Sequence, residues 1–452
     1  MKLKIFIIII LLAGFVVRLY KITSPIGDWH SWRQADASAV TRNFVKYGVD
    51  LLHPRFDDFS DTSGLGLFNP NGFRMVEFPV FNLVHYFLFS TFYFLKLNLE
   101  TWGRLTSALS ALVSGLLIFF IVKRRQSTTA ALWSMTLYLL LPFNIYFTRV
   151  ILPDPMMVTL YLASINFFEM NNLLLGIIFG ALAVMVKPVA IFFLLPIIFI
   201  YWRQWKKLFF IFLGMGLPFL LWRMWSYRFP EGVPASKWLL NGNGIRFKGA
   251  FFQWMFGERI GHMILGSWGL YPFIEGILAS SGFWLMWVAG ALLYIVVFAT
   301  GNIQHDYYQI PIIPVIAIMM GIGITKANSL FKKAIMIICV LFALAFSWYQ
   351  IRGNYQINHY SIVNAGKAVD RVTPKDAIIL APYNGDSALL YQTNRRGFPF
   401  MYFIIKDFID NYKATYYVSV NYDALTREVM NKYLVVEQNP DYVIVKLEEL
   451  NR

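Results

Sequence analysis

Apolar residues in this chain come in long unbroken runs, not in the alternation of a half-buried strand or the one-sided stripe of a surface helix. Eleven runs approach the roughly 20 residues that cross a bilayer: 4–20, 105–122, 128–147, 155–170, 173–186, 188–201, 208–226, 263–280, 283–300, 309–325 and 333–350. Two long polar stretches interrupt them, 21–104 and 227–262, and the pattern changes again from residue 351. There Pro, Asn and Asp separate short β-like runs, Ala377–Leu380, Ala414–Val420 and Tyr442–Val445, with amphipathic stretches Ile404–Tyr412 and Asp423–Tyr433 between them. Alternating strands and helices over about a hundred residues predict a small α/β domain.

Lys and Arg in short loops stay on the cytoplasmic side of a membrane and so fix orientation. The clusters Lys2/Lys4, Lys123-Arg124-Arg125, Arg203/Lys206/Lys207 and Lys326/Lys332/Lys333 all fall on one side when eleven spans are counted. That parity places Val80–Leu97 as an interfacial or re-entrant helix and not as a span. It also splits Leu173–Tyr201 at Lys187-Pro188, into halves only about 21 Å long at 1.5 Å per residue. Lys187 then sits below the outer surface, where a cation is costly and usually functional.

Composition agrees: 58% of the 452 residues are hydrophobic and only 14% charged, against about a quarter charged in a soluble domain. Aromatics at 18% suit interfacial belts as well as helix packing. The net charge of +15 would ordinarily suggest nucleic acid, but much of it lies in the orienting clusters, so no nucleic-acid partner is expected. Cys339 is the single cysteine, which excludes an intramolecular disulfide and a CxxC metal site. Arg18, Leu19, Tyr20 and Lys21 follow the first run where a small-x-small cleavage site would stand, so it reads as a retained span.

The expected architecture is a polytopic α-helical membrane protein with a transmembrane domain over 1–350 and an extracytoplasmic α/β domain over 351–452. On this topology the ionisable groups collect outside. The first loop carries Asp28, His30, Arg33, Gln34, Asp36, Arg42, Asp57, Asp58 and Glu77. Shorter outward turns carry Arg149 and Asp154, Lys187, and His305-Asp306-Tyr307-Tyr308, while 227–262 adds Arg228, Lys237, Arg246, Lys248, Glu258, Arg259 and His262. Simpler explanations stand beside a functional one. Charges in 227–262 read as solvated, His305 and Asp306 as helix caps, and Asp154 before Pro155 as a helix start. Lys187, Asp36 and Glu77 are harder to explain that way. A carboxylate at an outer cavity can take a proton from an acceptor hydroxyl, and cations dipping into the membrane can hold a lipid phosphate and stabilise its departure. That is sugar transfer from a lipid-phosphate carrier.

The residues HSWRQAD at 30–36 with Arg42 and Gly48, Glu77-Phe78-Pro79, RVILPDP with Arg149 and Asp154, Lys187-Pro188, and His305 to Tyr308 leading into QIPIIP follow one another in a specific order. In order and spacing over about residues 1–325, the chain resembles the GT-C superfamily of polyprenyl-phosphate-sugar glycosyltransferases. The branch is that of bacterial protein O-mannosyltransferases and the lipid A aminoarabinose transferase. The resemblance implies a GT-C-like fold in the inner (cytoplasmic) membrane, a polyprenyl-phosphate sugar donor, and a lipid, polysaccharide or protein acceptor. It implies Asp36 as general base with Asp28 as the alternative, since the family's acidic pair is displaced: Arg33 and Gln34 stand at its position. Arg33 would then be the counter-charge beside Asp36, with Asp36 opening a helix. Arg33, Arg42, Glu77, Arg149, Asp154, Lys187, His305, Tyr307 and Tyr308 become substrate-binding residues, with Lys187 on the donor phosphate and Arg149 helping. No cofactor is certain, and a divalent metal is left open, with Glu77, His262 and His305 as candidate ligands. Two other classes compete: a transporter or flippase of an anionic lipid-linked sugar, which lacks the expected repeat symmetry, and a structural subunit, which leaves Asp36, Glu77 and Lys187 unexplained.

Overall fold

The computed structural model describes residues 2–450. Each of the eleven apolar runs falls on helix, and several are broken. Helix Thr128–Leu140 stops at Leu141, which is extended ahead of Pro142, because a proline ring disfavours the helical conformation in the preceding residue. The run 188–201 divides into Ala190–Phe193 and Pro196–Tyr201, and 283–300 breaks at Phe298. Four helices are long and apolar enough to cross a bilayer: Leu99–Arg125, Trp205–Ser226, Asp306–Thr325 and Leu330–Tyr355. Only 17% of the apolar window of Trp205–Ser226 is buried, and Phe209, Phe210, Leu220 and Leu221 stand exposed on it. Backbone groups satisfied within a helix and apolar side chains turned outward are what a hydrocarbon solvent demands. The chain is a multi-pass membrane protein. Val80–Thr91, a helix of 12 residues, is about 18 Å long and falls short of the roughly 30 Å hydrocarbon core.

Two compact units make up the molecule. The first comprises Met1–Ile22, Gly103–Met224 and Ser236–Gly353 and holds most of the apolar helices. Within it, helices Asp154–Glu169 and Leu173–Val186 form an antiparallel hairpin. Asn172 caps the second helix by accepting from the Leu175 N–H, and Asn171 takes a left-handed conformation in the turn. Ser164 Oγ donates to the Gly176 carbonyl across the pair at 2.7 Å. Three fully buried arginines serve the end of the first helix, Lys2–Arg18, whose last carbonyls have no helical partner. Arg18 donates to the carbonyls of Gly14 and Leu139, Arg149 to those of Tyr20 and Lys21, and Arg104 to those of Lys21 and Ile22.

The second unit comprises Thr23–Trp102, Trp225–Ala235 and Asn354–Arg452. By contacts, the first polar loop groups with the C-terminal region and not with the apolar helices. Its sheet has five strands, β1 (Ile378–Leu380), β2 (Arg396–Phe398), β3 (Tyr416–Ser419), β4 (Tyr433–Gln438) and β5 (Val443–Glu449), in the order β2-β1-β3-β5-β4. The β2-β1-β3 pairs are parallel and the rest antiparallel. The loop joins this sheet at its β2 edge, where Phe59 N–H donates to the Gly397 carbonyl and Gly397 N–H to that of Asp57. Phe59 also enters the core formed by Leu380, Phe398, Phe408 and Tyr417.

Candidate active site

The helix Ser31–Tyr47 is the scaffold of the second unit's polar cluster. Its face from Arg33 to Thr41 is almost wholly buried, and Asn82 from Val80–Thr91 donates to the Ala37 carbonyl and Thr41 Oγ1 to lock the pair. The helix begins at Ser31, so Asp36 lies in its second turn and does not open it. Asp36 cannot cap there, and the capping explanation fails. Its carboxylate, 7% exposed, is held on both oxygens: Arg74 pairs with Oδ2 at 2.8 Å and Ser387 Oγ donates to Oδ1 at 2.7 Å. Arg74, not Arg33, is the counter-charge. Arg33 pairs instead with Glu77, and that buried ion pair takes up both groups.

Asp58, 5% exposed, lines one small cavity with Asp36, Ser387, Phe56, Leu390 and Tyr391, with space for about one water molecule. Burial, with the charge of Asp36 adding to it, pushes the Asp58 carboxyl up to about 7, against the Ser60 hydrogen bonds and the Arg74 cation that pull it down. Next to this pair, Arg42 bonds Asp57 and donates to the Tyr391 carbonyl at 2.9 Å, with its guanidinium 4.0 Å from the Tyr391 ring centre. The Tyr391 hydroxyl meets Ser38 Oγ at 2.8 Å. Arg42 is thus committed to positioning. Asp28, buried, accepts from Gln34 Nε2 at 2.7 Å.

The first unit's cluster follows from its hairpin. Two antiparallel helices of 16 and 14 residues bring the start of one, Asp154, beside the end of the other, Lys187. Lys187 closes its helix in an extended conformation ahead of Pro188, and its ammonium donates to Asp154 Oδ1 at 2.8 Å. Both are sequestered, with side chains 13% and 2% exposed. The Lys187 Nζ lies 5.6 and 5.5 Å from the ring centres of Tyr307 and Tyr308, within cation–π range. Asp154 Oδ2 is buried with no hydrogen-bond partner among the described residues. Asp306 opens a short 3-10 helix, Asp306–Ile312, and pairs with Arg259 at 3.8 Å. His305 stacks on Tyr307 and Tyr308 with ring centres 5.4 and 6.1 Å away. Arg149, bound to the Tyr20 and Lys21 carbonyls, is built into the helix end.

Glu77 is paired with Arg33, exposed His262 with Glu258 at 3.2 Å, and His305 lies in its aromatic stack. Among the described residues no group of three or more His, Cys, Asp or Glu side chains is placed to hold a metal ion.

Sequence reasoning missed Arg74, Ser387 and Tyr391. Ser387 stands 351 residues from Asp36 and carries no motif; only its position one residue after Asp386, in a turn ahead of a helix, marks it.

No family model and no curated protein sequence matches the chain. Among solved structures it is similar to ArnT from Cupriavidus metallidurans in the apo state, with a TM-score of 0.70 and 14% identity over 99% of each chain. The same protein bound to undecaprenyl phosphate gives a TM-score of 0.68 over 98% of this chain and 97% of that one, also at 14% identity. The oligosaccharyltransferase of Archaeoglobus fulgidus in its apo form gives 0.59 at 9% identity, over 91% of this chain and 69% of that one. At these identities the likeness is one of fold: the chain shares the fold of these structures.

Proposed function

We propose that this chain is an integral-membrane glycosyltransferase of the inner membrane that moves a sugar from a polyprenyl-phosphate donor to an acceptor hydroxyl on the extracytoplasmic face. The observation that carries the reading is Asp36. It is a carboxylate more than nine-tenths buried in mid-helix, where neither capping nor solvation accounts for it, with one hydroxyl and one guanidinium fixing its two oxygens. In this reading Asp36 takes the acceptor proton as general base. The freed oxygen forms its bond to the anomeric carbon, the bond from that carbon to the phosphate oxygen breaks, and the electron pair leaves on the polyprenyl phosphate. Lys187 holds that phosphate. An ammonium carries three donors, of which the Asp154 bond fixes one direction, and an anion offsets the desolvation of a deep cation. The undecaprenyl phosphate bound to ArnT and the dolichol-phosphate bound to the Archaeoglobus fulgidus enzyme AglB support this class of donor.

The donor half of the reading is tested by binding. Lys187→Ala is expected to weaken capture of a polyprenyl phosphate by purified protein at least tenfold, and Lys187→Arg to restore it only in part, because a planar fork replaces a compact point charge. Unchanged affinity in a folded Lys187→Ala protein counts against the role.

A further inference from the structure

Next in the chain to Ser387, which bonds Asp36, lies an open surface cleft of the second unit, lined by Trp32, Tyr383, Asn384, Gly385 and Asp386. We infer that this cleft is the acceptor subsite and that what it takes is a carbohydrate: a neutral pyranose of a glycan or glycolipid headgroup, not a peptide. The inference rests on the transferase reading and specifies its acceptor.

The lining has the chemistry of a sugar. Two aromatic rings offer apolar faces for the C–H side of a pyranose, while a carboxylate and an amide offer acceptors and donors for its hydroxyls. Both oxygens of Asp386 are already oriented: Ser31 Oγ donates to Oδ2 at 2.8 Å and the Ala388 N–H to Oδ1 at 2.7 Å. Each oxygen keeps a second lone-pair direction, so the group is pre-aligned for a ligand hydroxyl. Asn384 and Gly385 both take positive φ, 50° and 79°, which makes a tight turn at the cleft. No Lys or Arg lines the cleft, so a phosphate would meet only the Asp386 carboxylate there. Nor is a strand edge present to pair with an extended peptide, since the lining comes from a turn and a helix start.

The cleft is wired to the base. Ser387, next in the chain after Asp386, has its one Oγ–H within reach of Asp36 Oδ1 at 2.7 Å and of the Trp32 carbonyl at 3.2 Å. A sugar seated on Trp32 and Asp386 is therefore held by the two segments that also hold the carboxylate.

The test uses the full-length protein in detergent, without donor, titrated with neutral oligosaccharides such as cellotetraose and mannotetraose and followed by tryptophan fluorescence and saturation-transfer NMR. Saturable binding is expected for at least one of them, reduced tenfold or more by Asp386→Asn and by Trp32→Ala, and largely kept by Trp32→Phe, which retains a ring. A second titration with a glycolipid headgroup and with a Ser/Thr-rich peptide distinguishes the acceptors. Binding of the peptide but of no saccharide overturns the inference, as does saccharide binding that neither Asp386→Asn nor Trp32→Ala changes in folded protein. Release of polyprenyl phosphate is scored separately. A chain that releases it only with a peptide acceptor sinks the carbohydrate assignment and leaves the transferase reading standing; a chain that binds sugar in the cleft but turns over no donor does the reverse.

Discussion

Asp36 and Asp58 line the same cavity and are treated differently by it. Asp36 is ion-paired with a guanidinium on one oxygen, whereas Asp58 is hydrogen-bonded by Ser60, and burial lifts its carboxyl to about 7 over the opposing pull of Ser60 and the Arg74 cation. A carboxyl raised in the folded state contributes stability that is present below its unfolded value and lost as pH rises through the folded one. From about pH 4 to 7 the folded chain holds a proton that the unfolded chain has released, so this group lowers stability by about 1.4 kcal/mol per pH unit. Asp58→Asn keeps an acceptor for Ser60 and removes the charge. Its Tm should exceed that of wild type at pH 8 and converge with it at pH 4; an equal difference at both values would exclude Asp58 as the source. At this scale the sequence revealed single charges set in apolar surroundings, Lys187 above all, because a cation there has no cheap explanation. It did not reveal their partners. Arg74 and Ser387 reach Asp36 only through the tertiary fold, and no local pattern encodes a contact made across 351 residues.

Helix packing in the first unit depends on small residues at close crossings. A Cβ on Gly276 would lie 1.8 Å from the Met319 carbonyl oxygen, and one on Gly323 would lie 2.0 Å from that of Pro272. These helices, Leu270–Leu278 and Ile313–Thr325, touch through backbone. Gly276→Leu should therefore destabilise by about 1–3 kcal/mol through overpacking, seen as a lower Tm in detergent. Gly216→Ala, where a Cβ meets nothing within 4 Å, should not; equal behaviour of the two would contradict the close crossing. Most elements were legible as patterns. Runs of apolar residues marked the helices, the break at Lys187-Pro188 falls where a proline forces it, and three of five strands lie on the β-like runs. β2 and β4 were not seen. β2 has three residues beginning at Arg396, and β4 continues directly from an amphipathic helix, so neither shows an apolar run bounded by turns.

Across the whole molecule, two things escaped a linear reading. One is that the first polar loop shares a core with the C-terminal sheet, which depends on Phe59 and Gly397 meeting. The other is the number of spans, which rests on charge placement. The eleven-span topology puts the C-terminus outside, so a reporter fused after Arg452 should be active only if it works in an extracytoplasmic compartment; activity of a cytoplasmic reporter there would refute the count. The central claim, that this is a lipid-phosphate-dependent sugar transferase with Asp36 as base, is tested most directly by one turnover measurement. Purified protein is incubated with a set of polyprenyl-phosphate sugars and glycan acceptors, and released polyprenyl phosphate is quantified for wild type, Asp36→Asn and Asp28→Asn. The account predicts release by wild type, a loss on the order of a hundred- to ten-thousand-fold in Asp36→Asn with the donor still bound, and a smaller effect in Asp28→Asn. Release by Asp36→Asn at the wild-type rate would contradict it.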